Sequence, residues 1–202
     1  GNHLWSKRFG GSSGDVGYSV SVDKNGNVYI TGYFNSSSID FGGGALTNAG
    51  GNCGNYPCDD IFLAKFDTNG NHLWSKRFGG NNGEDGSSVS VDSNGNVYIT
   101  GWFHSSSIDF GGGALTNAGD ADIFLAKFDT NGNHLWSKRF GGSDGDGGSS
   151  VSVDKNGNVY ITGGFWSSSI DFGGGALTNA NAGIDDIFLA KFDSNGNYLW
   201  SN

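Results

Sequence analysis

Apolar and polar residues alternate in short segments that recur along the chain. In NVYIT, which begins at Asn27, Val28 and Ile30 share one face and Tyr29 and Thr31 share the other. A period of two over this length predicts β-strands. Apolar residues lie on both faces of several of these segments, which predicts sheets that are covered on both sides.

Four such segments follow one another in a fixed order, SVSVD (a), NVYITG (b), IFLAKFD (c) and HLWSKRF (d), in three tandem units of 62–69 residues. The a–b and c–d links read DxNGN, which favours a type I turn followed by a left-handed Gly, as in short β-hairpins. A calcium loop is the alternative, but the links lack a downstream Glu and are shorter than an EF-hand loop. The six links begin at Asp23, Asp67, Asp92, Asp129, Asp154 and Asp193.

The b–c link is long and contains SIDFGGGALTNA, in which Ile39, Phe41 and Leu46 alternate with glycines and polar residues. This pattern predicts an additional outer hairpin. A four-stranded antiparallel meander in near-identical copies is typical of a β-propeller blade. The sequence therefore predicts an all-β chain of three propeller-type blades that pack face to face.

Composition and charge narrow the class of partner. Gly accounts for 38 of 202 residues, but aromatic residues reach 14%, so the glycines are expected in the turns of a folded chain. The net charge is −9 and the 11 Lys and Arg residues are dispersed, which excludes nucleic acid and anionic membranes as expected partners. No apolar run approaches the roughly 20 residues of a membrane span. The chain starts within a repeat, and we expect a processed or excerpted form.

The ordered motifs D-x-NGNVYITG, SIDFGGGALTNAG and DIFLAKFD-x-NGN-x-LWSKRFGG resemble the SBBP-type β-propeller repeat of bacterial secreted and surface proteins. The resemblance covers essentially the whole chain, and each motif occurs three times. It implies a propeller fold and an extracellular or cell-surface location, and it carries no shared catalytic motif. A three-fold lectin prism is the rival fold, although its repeats are about half as long.

No catalytic residues are predicted. His3, His72 and His134 occupy one repeat position, which favours a structural role, and His104 stands alone. No Ser/His/Asp set is apparent, and adjacent carboxylates such as those at residues 59–60 diverge in a strand, unlike an acid/base pair. We expect a non-enzymatic protein.

Cys53 and Cys58 lie in an insertion of the first unit. The turn-forming residues between them favour a disulfide in an oxidising compartment over a metal or redox pair, which would need further ligands. No cofactor is expected. Calcium is the one alternative, with weak candidate ligands in the Gly/Asp links at Asp15, Asp85, Asp144 and Asp146.

The units differ after ITG, at the end of strand b. Tyr33 and Asn35 stand there in the first unit, Trp102 and His104 in the second, and Trp166 in the third. Aromatic side chains at a propeller rim stack on sugars or enter protein interfaces, so these five residues form a candidate binding rim. Exposed residues without a role are the alternative.

The strand count leaves one d segment over, because three a–b–c sets accompany four d segments. We predict a d-type strand without a blade at residues 1–10 and blades at 11–79, 80–141 and 142–202. Either terminal copy could complete the last blade. The candidate assembly strands contain His3, Leu4, Trp5, Phe9, Tyr198, Leu199 and Trp200.

A three-blade arc exposes apolar faces and edges that natural proteins avoid. The chain is therefore expected to be an excerpt of a longer array, or a subunit that joins others into a ring or a filament. A surplus strand suits donation to a neighbour. The first hypothesis is a self-assembling extracellular structural protein, and the alternative is a carbohydrate- or protein-binding propeller module of a surface protein.

Overall fold

A computed structural model describes residues 1–51, 53, 58–181 and 183–202. These residues form 18 strands and contain no helix, so none of them belongs to a helix long and apolar enough to cross a membrane. Cys53 and Cys58 form the expected disulfide. The turn expected between them lies at residues 54–57, outside the described part of the chain.

The strands are numbered in chain order, and twelve of them build three antiparallel sheets of four. The first sheet contains β1 (Asp15–Val22), β2 (Val28–Phe34), β5 (Asp60–Phe66) and β6 (His72–Phe78). The second contains β7 (Glu84–Val91), β8 (Val97–Phe103), β11 (Asp122–Phe128) and β12 (His134–Phe140). The third contains β13 (Asp146–Val153), β14 (Val159–Phe165), β17 (Asp186–Phe192) and β18 (Tyr198–Ser201). Each sheet is an a–b–c–d meander, which confirms the predicted blade.

The predicted outer hairpin is present in every b–c link. It is formed by β3 (Ser38–Asp40) with β4 (Ala45–Thr47), β9 (Ser107–Asp109) with β10 (Ala114–Thr116), and β15 (Ser169–Asp171) with β16 (Ala176–Thr178). Ile39 and Phe41 of the first hairpin are buried against the sheet beside it. The hairpin therefore extends the core of each blade.

The DxNGN links are hairpin turns, as the sequence predicted. In the first, Asp23 Oδ1 accepts hydrogen bonds from the backbone N–H groups of Asn25 and Asn27, both at 2.9 Å. Gly26 follows at φ 82°, where a residue with a Cβ is strained. The carboxylate satisfies the turn's own donors and so holds the two strands in register.

The blades pack face to face. Tyr29, Ile61 and Leu63 of the first blade share a buried cluster with residues of the second. A matching cluster joins the second blade to the third. These two junctions explain why strand c carries apolar side chains on both faces.

The third blade is completed by β18, so the copy left over is the N-terminal one. Residues 1–10, predicted as a d-type strand, are not paired into any sheet. The reason is that a d strand pairs with a strand c, and each of the three c strands (β5, β11 and β17) already pairs with the d strand that follows it through a tight turn.

Candidate functional site

At each blade junction, strand a of one blade packs against strands a, b and c of the blade before it. Ile61 and Leu63 on β5 are fully buried, as are Ile123 and Leu125 on β11. On the receiving side, Val89 is 5% exposed. The chain thus contains two copies of one interface.

Polar contacts fix the register of these junctions. Lys65 Nζ lies 5.0 Å from the centroid of the Tyr29 ring and donates a hydrogen bond to the Thr130 carbonyl of the next blade at 2.8 Å. Trp74 Nε1 donates to the same oxygen at 3.2 Å. In the second junction, Lys127 and Trp136 use the carbonyl of Ser194 in the same way. In the second and third blades, one carbonyl therefore receives a lysine and a tryptophan from the blade before it.

The same faces are open at the two ends of the array. On the third blade, Ile187 is 86% exposed and Leu189 is 42% exposed, although their counterparts inside the array are fully buried. On the first blade, Val20 is 64% exposed and Val22 is 57% exposed. We call these the forward end face and the receiving end face.

The N-terminal segment, residues 3–9, lies on the receiving end face in the position of a preceding d strand. Trp5 Nε1 donates to the Thr68 carbonyl at 3.1 Å. The Phe9 ring lies 4.9 Å from that of Phe41 and 5.3 Å from that of Phe66, between centroids. Phe78 makes the same two contacts, at the same two distances, with the second blade. The segment keeps the side-chain contacts of a d strand but not the backbone hydrogen bonds that pair a d strand with a strand c.

The other candidate assembly residues fall in two places. Tyr198, Leu199 and Trp200 belong to β18, where Trp200 is paired with Lys191. His3 and Leu4 are exposed in the N-terminal segment. The structure therefore puts the two terminal copies at opposite ends of the array.

Two of the calcium candidates hold the rim loops. Asp146 accepts hydrogen bonds from the N–H groups of Gly142, Trp166 and Ser167 and from the Ser167 hydroxyl, at 2.7–3.1 Å. Asp15 is bound by an equivalent set of donors. Asp144 lies near Asp146 in sequence but is exposed. Among the described residues, no group of three or more His, Cys, Asp or Glu side chains is arranged to hold a metal ion.

The fourth candidate, Asp85, lies in a cluster of carboxylates at the first junction. Burial, with a contribution from the charge of Asp59, raises its pKa to about 7. Burial also raises the pKa of neighbouring Glu84 to about 7, with a contribution from the charge of Asp60. Oδ1 of Asp60 and Oδ1 of Asp85 are buried without a hydrogen-bond partner in the described structure. The first junction therefore buries more negative charge than its contacts compensate.

The candidate rim residues divide between two clefts. Trp102, His104 and Trp166 line one cleft of about 270 Å³ between the second and third blades. Tyr33 and Asn35 line another on the first blade, where Asn35 Nδ2 donates to Asp59 Oδ1 at 3.0 Å. The strand-b ends thus line separate clefts and do not form a single pocket.

The repeated histidines have a local role. The rings of His72 and His134 each hydrogen-bond through Nε2 to the Ser hydroxyl three residues later, at 3.1 Å. Each also packs edge-on against a buried phenylalanine of its own blade. Both observations agree with the structural role that their repeat position suggested.

The four-stranded meanders, the outer hairpins and the face-to-face junctions define an array of β-propeller-type blades. The chain belongs to the SBBP family, described as the beta-propeller repeat, whose pattern matches residues 4–40, 73–106 and 135–164. The resemblance stated from the motifs is thereby confirmed.

Two curated relatives are similar to the chain. The uncharacterized WD repeat-containing protein L264 of Acanthamoeba polyphaga mimivirus is 24% identical over 224 residues, covering 98% of this chain and 16% of that protein. The regulatory protein FlaEY of Caulobacter vibrioides is 27% identical over 141 residues, covering 68% of this chain and 14% of that protein. The chain therefore spans a small part of the length of either relative.

Sequence reasoning missed the carboxylate cluster and the lysines that bridge the blades. Lys65 and Lys127 stand at one position of strand c between apolar residues, a placement that indicates a buried partner. The acidic residue that opens strand a and the Asp that opens strand c recur in every unit. Their meeting across the junction depends on blade packing, so no local pattern reveals it.

Proposed function

We propose that this chain is a non-enzymatic structural protein that works outside the cell and assembles head-to-tail through its two end faces. The observation that carries the proposal is the exposure of Ile187 and Leu189 on a face that is buried wherever another blade follows. A second copy supplies the matching receiving face. The joint between copies would then repeat the interface that exists twice within one chain.

The contacts of such a joint can be assigned from the internal ones. Lys191 lies 5.0 Å over the Tyr160 ring, as Lys65 does over Tyr29. In the joint, Lys191 of one copy would donate to the Thr68 carbonyl of the next. Burying the exposed parts of Ile187, Leu189 and Val20 would contribute at most roughly 1.5–3 kcal/mol for each side chain.

Strand donation follows from the position of residues 3–9. In a joint of this geometry, β18 of one copy and residues 3–9 of the next would compete for the same place. Donation resolves the conflict if β17 pairs with residues 3–9 of the neighbour instead of β18. Arg8 of the donated strand would then meet Asp186, as Arg77 meets Asp60 at 3.0 Å and Arg139 meets Asp122 at 3.2 Å.

Light scattering after size-exclusion chromatography tests the assembly. We expect oligomers or polymers from the unaltered chain and a monomer of 21.0 kDa from Ile187→Asp. Leu199→Asp is the matched control, because Leu199 is 45% exposed on the outer strand and lies off the joining face. A chain that remains monomeric at about 0.1 mM, a concentration at which even a joint of only micromolar affinity is mostly formed, would overturn the proposal.

A charge exchange separates donation from simple face packing. Arg8→Asp and Asp186→Arg should each weaken association, and the double variant should restore it, because the ion pair is rebuilt with reversed polarity. If the double variant loses as much association as the single variants, the ion pair does not form and the copies assemble without strand donation. Electron microscopy of the same samples distinguishes a closed ring from a filament.

The Cys53–Cys58 disulfide supports the proposed location, because such bonds persist in oxidising compartments. Thiol labelling of protein taken from its native source without reductant should modify neither cysteine. Labelling of both would contradict an extracellular location.

A further inference from the structure

A cleft lies at the second blade junction, where the strand-b ends of the second and third blades meet. It is lined by the two indole rings of Trp102 and Trp166, by His104 and Asp120, and by backbone at Gly145 and Gly147. Its volume of about 270 Å³ is close to the lower limit, roughly 300 Å³, of small-molecule sites.

The cleft exists because two side chains are missing from it. At the first junction, Asp59 and Asp85 face each other across the blades, and Asp85 is 8% exposed. The corresponding residues at the second junction are Ala121 and Gly147. A Cβ on Gly147 would stand 3.6 Å from Cδ1 of Trp102, so a larger side chain there would extend into the cleft. The sequence has exchanged two carboxylates for open space.

The lining selects against anions. None of the described residues that line the cleft is Lys or Arg, whereas Asp120 and Asp146 both contribute to it. Asp146 is already saturated by its loop donors. Asp120 is 75% exposed at its side chain and lies 3.4 Å from His104 Nδ1. His104 Nδ1 also lies 2.9 Å from the Asp120 carbonyl oxygen, so the groups left for a ligand are two indoles, the Asp120 carboxylate and Nε2 of His104.

These groups fit a ligand that has an apolar face and a polar edge. Trp166 is 48% exposed, so much of its indole surface is open to a ligand. The rim continues with further hydrogen-bonding side chains, since Asn82 lies beyond His104, and Ser13 and Asn35 line the cleft on the first blade together with Asp59. A pyranose ring presents C–H groups on its face and hydroxyls at its edge, and a chain of such rings can follow the rim.

We propose that the cleft between Trp102 and Trp166 binds a neutral oligosaccharide, with the sugar face on the indoles and its hydroxyls on Asp120 and His104. The proposal goes beyond the assembly proposed above and stands without it, because the cleft lies on the rim and not on either end face.

Titration of the intact chain with cellohexaose, chitohexaose and maltohexaose tests the proposal by calorimetry and tryptophan fluorescence. At least one of them should bind with a Kd of about 1 mM or tighter. Trp102→Ala and Trp166→Ala should each weaken binding by about tenfold or more, equivalent to about 1.4 kcal/mol. Leu199→Ala on β18, 45% exposed and outside the rim clefts, is the matched control and should leave the affinity unchanged.

A second variant separates occupancy of the cleft from loss of the fold. The double substitution Ala121→Asp with Gly147→Asp rebuilds the first junction and should abolish binding while circular dichroism stays unchanged. Absence of binding by all three oligosaccharides at about 10 mM, weaker than almost any specific site, would overturn the proposal. So would tighter binding of choline, because an ammonium group can also use the two indole faces.

Discussion

Neutralising Asp85 should stabilise the protein at neutral and alkaline pH. Its carboxyl group is buried at the first junction, Oδ1 has no hydrogen-bond partner in the described structure, and Asp59 adds negative charge beside it. The Tyr18 hydroxyl is the partner that lowers its pKa, and Glu84, the preceding residue on the same strand, is raised in pKa by burial and by the charge of Asp60. In Asp85→Asn the group keeps its shape but cannot ionise.

The sign and size of the effect on the free energy of unfolding follow from the pKa of Asp85. Burial raises the pKa of Asp85 from 3.8 to about 7, so the folded protein holds the proton more tightly than the unfolded chain does. Below pH 4 both states are protonated and the residue has no effect on stability. Between about pH 4 and 7 the unfolded chain loses its proton first, and the free energy of unfolding falls as the pH rises. The full cost above pH 7 is roughly 4 kcal/mol, at about 1.36 kcal/mol for each pKa unit.

Urea unfolding between pH 4 and 8 measures the effect, in the Ile187→Asp background so that association does not contribute. We expect Asp85→Asn to gain about 2–4 kcal/mol at pH 8 and almost nothing at pH 4. Asp144→Asn, on an exposed link, is the control and should change stability by less than about 0.5 kcal/mol at either pH. A gain of the same size at both pH values, or a loss at pH 8, would refute the reasoning.

Three further outcomes are expected. Lys127→Met should lower the free energy of unfolding by about 1–3 kcal/mol in urea titrations, because it removes a charged hydrogen bond across a junction. Lys191→Met, on the open end face, should lower it by less than half as much. Phe9→Ala should cost less than Phe140→Ala, for which about 3–5 kcal/mol is expected, because Phe9 is only partly buried. EDTA or millimolar calcium should change the Tm by less than about 2 °C, because Asp15 and Asp146 already accept hydrogen bonds from the protein. A larger rise in Tm that depends on calcium would establish a calcium site.

Much of the blade follows from short-range patterns. The alternation in NVYIT, the DxNGN turns and the glycine-rich outer hairpin each act within about ten residues, and each is repeated, so a single error of interpretation would have to occur three times. The proximity of Cys53 and Cys58 allowed their disulfide to be predicted for the same reason. Membership of the propeller-repeat family was visible in the same motifs.

The candidate site was only partly accessible in this way. Variation among the repeats identified Trp102, His104 and Trp166, but it did not show that they share one cleft while Tyr33 lies in another. That division depends on Ala121 and Gly147, whose small size matters only because another blade faces them. Two positions that look unremarkable along the chain therefore decide where a ligand has room.

Local patterning was sufficient for the strands, the turns and the number of blades, because period-two alternation and tight turns are properties of neighbouring residues. Packing of the blades determined which terminal d segment is not paired into a sheet, which apolar faces remain exposed to solvent, and which carboxylates are buried. These outcomes involve residues more than 20 positions apart, such as Asp59 with Asp85. The energy of each depends on what the adjoining blade removes from solvent, and that can be known only when the blades are in place.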